Sequence, residues 1–344
     1  MTQSLSRRAL LAGLGASVLP LGRMTAHAQQ HTAILDTHVH LLRSLHHSQS
    51  LESAAQVALR VMDAFGIDRA IVSPPPFNAG HPGLYGLAEI KAALRGRPRF
   101  AFMAGGDSLN PMLQETAADN VSAGLMRRFG DAAEEIAASG AAGFGELAAE
   151  HFSSGRGHHP YESAPPDHPL LLALADIAAK YGMPIELHME AVPQDMPFPP
   201  DRPQGPNPAT LHANIARFER LLDHNPHARI VWVHAGWDLT GERTVPLMRE
   251  LLERHANLAM SVKYDHAGAK ATAPFPPDGD AVRPGWIAML RGFPDRFVVG
   301  SDQFIDQGTE RLEGARQFVD ALPPDLARLV ARENAKRIYR LSTT

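Results

Sequence analysis

Five apolar runs of this chain end in residues that can bind a metal ion: Asp36-Thr37-His38-Val39-His40, Gly143-Phe144-Gly145-Glu146, Ile185-Glu186-Leu187-His188, Val231-Trp232-Val233-His234 and Val298-Val299-Gly300-Ser301-Asp302. Imidazole nitrogen and carboxylate oxygen are donors that suit Zn²⁺, with Mn²⁺, Fe²⁺ and Co²⁺ as alternatives. A single histidine of this kind is ordinarily a hydrogen-bonded core residue. Several ionisable groups at the ends of separate apolar strands are costly to bury unless they share a cation. The pattern predicts one site, built from distant parts of the chain, that holds a divalent metal.

Such a site needs a scaffold that brings strand ends together. Short apolar segments alternate eight times with amphipathic ones. The strand candidates are Ala33–His38, Arg69–Ser73, Phe100–Ala104, Ala142–Glu146, Pro184–His188, Arg229–His234, Leu258–Val262 and Phe297–Asp302. Between them, apolar residues recur at three- and four-residue spacing, as in Leu51–Phe65, Leu84–Leu94, Pro169–Tyr181, Leu211–Leu222, Val245–His255 and Glu310–Leu322. This alternation implies a parallel sheet, and the length fits a single-domain α/β fold, a (β/α)8 TIM barrel. An open doubly wound sheet is the alternative, but no Gly-rich phosphate loop follows the first strand.

Strand alternation sets the expected facing. Ile34, Asp36, His38 and His40 fall on one face of the first strand, and Leu35, Thr37 and Val39 on the other. Glu186 and His188 oppose Ile185 and Leu187, Trp232 and His234 oppose Val231 and Val233, and Gly300 and Asp302 oppose Val299. The expectation is that apolar faces pack beneath helices while ligand faces look inward. Three Pro-rich stretches, Glu150–Pro166, Ala191–Pro208 and Tyr264–Pro284, follow strands and are expected to line the pocket, the alternative being a dimer contact or mere insertion.

Composition narrows the field. With 44% apolar residues the chain can bury a large core, and a net charge of -4 argues against a nucleic-acid footprint. The absence of cysteine excludes disulfides, thiolate catalysis and cysteine zinc sites. At the N-terminus, Ser6-Arg7-Arg8 precedes an apolar run from Ala9 to Leu21, and Ala26-His27-Ala28 offers small residues to a signal peptidase. That is a twin-arginine signal layout. It predicts handling by the twin-arginine export machinery, cleavage after Ala28, and a periplasmic domain spanning residues 29–344 without a stable membrane anchor.

The ordered strand ends, together with the closing Glu333-Asn334-Ala335-Lys336-Arg337-Ile338-Tyr339 segment, resemble the amidohydrolase superfamily, in its amidohydrolase-related branch of metal-dependent TIM barrels. The resemblance covers essentially the whole mature chain. It implies that His38, His40 and Asp302 ligate one metal together with His188. His234 would ligate a second ion, or polarise substrate and water where only one is present. Relatives differ at the fourth strand, so Glu146 is either a bridge between two ions or a hydrogen-bond partner of a neighbouring histidine.

By the same resemblance, the bound ion lowers the pKa of water to about 7 and so supplies hydroxide at neutral pH. Asp302 would act as general base, one oxygen on the ion and the other on the water's proton. The implied activity is hydrolysis of an ester, lactone, amide or related bond in a small molecule. Some relatives are instead one-metal decarboxylases, and a metal-containing binding protein without turnover is a third reading. Lys263 is either a partner for an anionic substrate group or a solvated loop lysine. Trp237 is either an apolar wall or a packing residue. Asp36 is expected beside a ligating imidazole. His46, His47, His158 and His159 are expected in exposed loops. Homo-oligomerisation is compatible with the sequence.

Overall fold

The computed structural model describes residues 32–41, 50–76, 84–153, 160–202, 205–264, 271–305 and 308–342. The export segment, His46, His47, His158 and His159 lie outside the described residues. Nine parallel strands build the central sheet: β1 Ile34–Leu41, β2 Ile67–Val72, β3 Phe100–Gly105, β4 Gly143–His151, β5 Pro184–Met189, β6 Arg229–Ala235, β7 Leu258–Val262, β8 Phe297–Val299 and β9 Gln303–Ile305. Their order is β8-β7-β6-β5-β4-β3-β2-β1-β9. Only Gly300, Ser301 and Asp302 separate β8 from β9, so the two ends of this order are one interrupted strand. The result is a closed (β/α)8 barrel in a single domain.

Closure occurs by a change of partner. β8 pairs with β7, and β9 pairs with β1. Across the interruption, the Gly300 N–H donates to Val262 O at 3.0 Å and the Asp302 N–H to His38 O at 2.8 Å. Gly300 is needed here: a Cβ would collide with Ser261 Oγ and stand 3.0 Å from His38 Cβ and 3.1 Å from Thr37 Oγ1.

Eight helices follow the strands: α1 Leu51–Phe65, α2 Leu87–Leu94, α3 Ala123–Ala138, α4 Pro169–Tyr181, α5 Ile215–His224, α6 Val245–Arg254, α7 Pro284–Gly292 and α8 Glu310–Asp320. Local chemistry sets their ends. Ser50 and Ser53 form a capping box at the start of α1, and Gly66, at φ 64°, stops it in the left-handed region that glycine adopts without a Cβ penalty. Pro169 opens α4, where its missing N–H is not needed. In α3, Leu125, Phe129, Ala133 and Ile136 form the buried stripe.

Two apolar layers result. The outer layer joins Ile34, Val39, Phe144, Ile185, Trp232 and Val299 to the helices. The inner layer joins Leu35, Ile71, Met103, Val231, Val233, Ala259 and Val298 to Ala335, Ile338 and Tyr339 of the closing segment, which plugs one end of the barrel.

This layering corrects the expected facing on two strands. Leu35 is inside and Ile34 outside, and Val231 and Val233 are inside while Trp232 meets Phe218 of α5 at 5.2 Å between ring centroids. Strict alternation would leave His234 among the helices. It is turned inward by a left-handed backbone at φ 66°, beside a register shift between β6 and β7. A register shift between Asp36 and Val39 in the β1–β2 pairing does the same for His38 and His40. β5 follows the expected alternation: Ile185 and Leu187 pack outward.

The Pro-rich stretches differ from loops at several points. β4 runs on through Glu150 to His151 and pairs back antiparallel with Glu162–Ser163. Met196–Pro197 pairs with Thr210–Leu211. Phe152, Val192, Phe198 and Leu211 form a small apolar cluster that holds these segments together. The Ser153 N–H donates to Asn207 Oδ1 at 2.8 Å, and Asn207 Nδ2 returns a bond to Ser153 O at 3.0 Å. No helix among the described residues is long and apolar enough to cross a membrane.

Candidate metal centre

The six predicted ligand-type residues meet at the C-terminal ends of the strands, where barrels of this architecture carry their sites. His38, His40, Glu146, His234 and Asp302 are buried. His188 is slightly more open, with 13% of its side chain exposed. Two triads have donor atoms close enough to hold one ion: His38, His40 and Asp302, and His38, Glu146 and His234. His188 belongs to neither. Its Nδ1 lies 2.8 Å from Glu146 Oε1, and its Nε2 lies 3.7 Å from Glu190 Oε1.

Glu146 stands between the two groups. Oε1 accepts from His188 and from His234 Nε2 at 3.1 Å, while Oε2 lies 3.3 Å from His38 Nε2 and 3.5 Å from His40 Nε2. Asp302 Oδ1 lies 3.0 Å from His40 Nε2. Its other oxygen, Oδ2, accepts from Lys263 Nζ at 2.6 Å and Arg311 Nη1 at 2.7 Å. Like His234, Asp302 has a left-handed backbone, φ 57°. Non-glycine residues held there cost about 1–3 kcal/mol and cluster at functional sites.

Hydrogen bonding fixes the imidazoles. His40 Nδ1 lies 2.8 Å from Ser73 O. A carbonyl only accepts, so Nδ1 carries the proton and Nε2 is bare when the ring is neutral. His38 Nδ1 lies 3.0 Å from Glu186 Oε2 as an ion pair, and that negative charge favours the proton on Nδ1 and a bare Nε2 here as well. These two Nε2 atoms are 3.2 Å apart, with carboxylate oxygens on both sides. Acceptors facing acceptors repel unless a proton or a metal ion lies among them. The nitrogen–oxygen donor set and the mutual spacing fit a divalent metal.

Electrostatics agree with this reading. Burial would lower the His38 pKa, but Glu186 and Glu146 hold it well above the ordinary value. Burial would raise Glu146 and Asp302. Glu146 is instead held well below the usual range by His38, His188 and His234, and Asp302 by Lys263, Arg311 and His234. Burial, with Lys263 and His188, keeps His234 well below its usual value and therefore neutral. His188 is pushed up to about 9: burial opposes this, and the carboxylates of Glu146 and Glu190 outweigh it.

Lys263 is not a solvated loop lysine: it is buried, and its Nζ lies 4.2 Å from the Trp237 ring centroid. Asp36 does not touch an imidazole. Its Oδ1 accepts the backbone N–H groups of His38 at 3.1 Å and Ser301 at 2.9 Å, stitching β1 to the strand interruption. The partner of the His38 ring is Glu186. Arg311, Glu190 and Tyr339 also bear on the site without having been singled out. Glu190 continues the alternation of Glu186 and His188, a signal that was present. Arg311 and Tyr339 carry no local signal.

A closed parallel barrel with a nitrogen–oxygen cradle at its C-terminal rim defines a metal-dependent barrel enzyme. The sequence profile of the amidohydrolase family matches residues 35–341, and the chain belongs to that family. No curated protein matches the chain in sequence. Among solved structures, a putative amidohydrolase from Staphylococcus aureus is 12% identical, with a TM-score of 0.50 over 90% of this chain and 100% of that one. A D-aminoacylase described as having a binuclear metal centre is 12% identical, TM-score 0.50, over 90% of this chain and 75% of that one. A 2,6-dihydroxybenzoate decarboxylase from Rhizobium is 17% identical, TM-score 0.47, over 90% and 99%. At such identities the first two likenesses show the fold alone.

Proposed function

We propose that this chain is a metal-dependent hydrolase of a small molecule with an ester, lactone, amide or related bond. The observation that carries the reading is the position of Glu146, whose two oxygens face opposite halves of the cradle. His38, His40 and Asp302 would hold one ion, and Glu146, His188 and His234 would complete the site. A divalent ion there supplies acidified water and polarises the substrate's reacting oxygen.

The chain's own residues do the rest. Asp302 accepts the proton released by water, and Lys263 and Arg311 set how strongly it does so. His234, neutral and buried, faces the cradle through Nε2 and would ligate a second ion or, where only one is present, polarise substrate and water. Lys263 and Arg311 bring two positive charges to one carboxylate, which suits a substrate bearing a carboxylate. The faces of Trp237 and Phe304, under Lys263 and Arg311, give that group an apolar border.

One observation favours a second reading, a decarboxylating lyase: two cations on Asp302 Oδ2 weaken it as a proton acceptor. The test joins elemental analysis of untagged protein to a panel of lactones, amides, esters and carboxylic acids, with carbon dioxide release followed in parallel. Hydrolysis with about two metal equivalents supports the leading reading. Carbon dioxide release without hydrolysis replaces it with the lyase, and tight ligand binding without any turnover replaces it with a binding protein. Export through the twin-arginine route, a periplasmic site of action and self-association are proposals that rest on the sequence.

A further inference from the structure

Glu186 occupies the barrel interior below the metal cradle and is fully buried. A carboxylate in such a place is costly unless each oxygen is answered. Oε1 accepts from the Tyr339 hydroxyl at 2.6 Å. Oε2 lies 3.0 Å from His38 Nδ1, an ion-pair contact whose angles fall short of a hydrogen bond, and neither atom has another partner among the described residues. Tyr339 is itself buried, at 2% exposure, and belongs to the closing segment that plugs the barrel. Space for the glutamate is provided across the sheet by Gly145: a Cβ there would stand 2.9 Å from Glu186 Cβ. One chain of polar contacts, a hydrogen bond and then an ion pair, thus runs from the closing segment to a residue shared by both triads.

We propose that Tyr339 and Glu186 form a positioning relay that sets the metal affinity of His38. The inference rests on the metal reading of the site. The Glu186 carboxylate beside Nδ1 favours the ring tautomer with its proton there, which leaves His38 Nε2 facing the cradle. Tyr339 pins Oε1, which keeps Oε2 aimed at the ring instead of rotating away. Neither residue touches substrate. A carboxylate behind a ligating histidine fixes ring orientation and makes the imidazole a better donor, and losing such a partner costs about 10- to 100-fold in metal affinity. Without the tyrosine hydroxyl, a plain apolar plug would fill the barrel end equally well but leave a buried oxygen unanswered.

The test measures Zn²⁺ affinity by competition with a chelating dye, on the full chain, together with the melting temperature of the metal-free protein. Glu186→Gln keeps the shape, removes the charge and should raise Kd by about 10- to 100-fold. Tyr339→Phe should raise Kd by a smaller factor. Because Tyr339 acts through Glu186, the double variant should bind no more weakly than Glu186→Gln alone. Losses that multiply, or wild-type affinity in either single variant, overturn the relay. If Tyr339→Phe does not fold, wild-type affinity in Glu186→Gln alone is enough to overturn it. A wild-type chain that takes up no Zn²⁺ would instead remove the metal reading beneath it.

Discussion

Replacing Gly300 by alanine probes barrel closure and site geometry together. The added methyl would collide with Ser261 Oγ and press on His38 Cβ at 3.0 Å and Thr37 Oγ1 at 3.1 Å, all buried. Contacts below about 3.4 Å force neighbours to move, and a methyl forced into a packed interior costs about 1–3 kcal/mol. With an unfolding entropy of about 2.1 cal/mol/K per residue, a barrel of this size loses about 3 °C of melting temperature for about 2 kcal/mol. Calorimetry on the metal-free protein reads this directly.

Ser261→Ala supplies the control. Its Oγ has no hydrogen-bond partner among the described residues, so removing it should cost little. Combined with Gly300→Ala it should restore part of the loss by relieving the nearest collision. His38 remains pressed in the double variant, so Zn²⁺ affinity should stay reduced even where stability recovers. A melting temperature and an affinity both equal to wild type in Gly300→Ala would refute the claim that this glycine is required by close packing.

Other outcomes follow from the same geometry. Asp302→Asn should keep the fold while kcat falls by about 100-fold or more; near-normal turnover would remove Asp302 from proton transfer. Arg311→Met should raise KM for carboxylate-bearing substrates and leave neutral analogues little affected, and equal effects on both would count against an anion-binding role. Chelation should lower the melting temperature, because an ion present at 100 times its Kd adds about 2.7 kcal/mol to stability; no shift on readdition of metal would contradict this. Burial pushes the Glu162 carboxyl up to about 8, with the charge of Glu146 adding to it and Asn110 and His188 opposing. The folded chain therefore keeps a proton that the unfolded chain loses above about pH 4.3, and stability declines from there to about 8 and then levels. Glu162→Gln escapes that decline, so its urea midpoint should gain on wild type between pH 5 and 8; parallel profiles would refute the assignment.

Much of the site could be read from the chain because its signal is local. Each ligand ends an apolar run, and a parallel barrel brings such ends to one rim. The facing argument held on β5, where Glu186 and His188 alternate regularly with Ile185 and Leu187. It failed on β1 and β6 because register shifts and a left-handed residue depend on how neighbouring strands slide, which a single strand's pattern does not encode. The break at Gly300–Asp302 was hidden for a similar reason: the run reads as one strand, and its change of partner is visible only when the barrel closes. Long-range pairings were the least legible. Glu186 and Tyr339 lie 153 positions apart.

The interrupted last strand also has a temporal consequence. His38 and His40 belong to the earliest part of the barrel to be synthesised, whereas Asp302, Arg311 and Tyr339 are among the last. A nascent polypeptide missing its final strand lacks Asp302 and has an unsealed cylinder, so the triad of His38, His40 and Asp302 is incomplete until translation is nearly finished. A filled triad at that end of the barrel would then mark a chain whose last strand is in place.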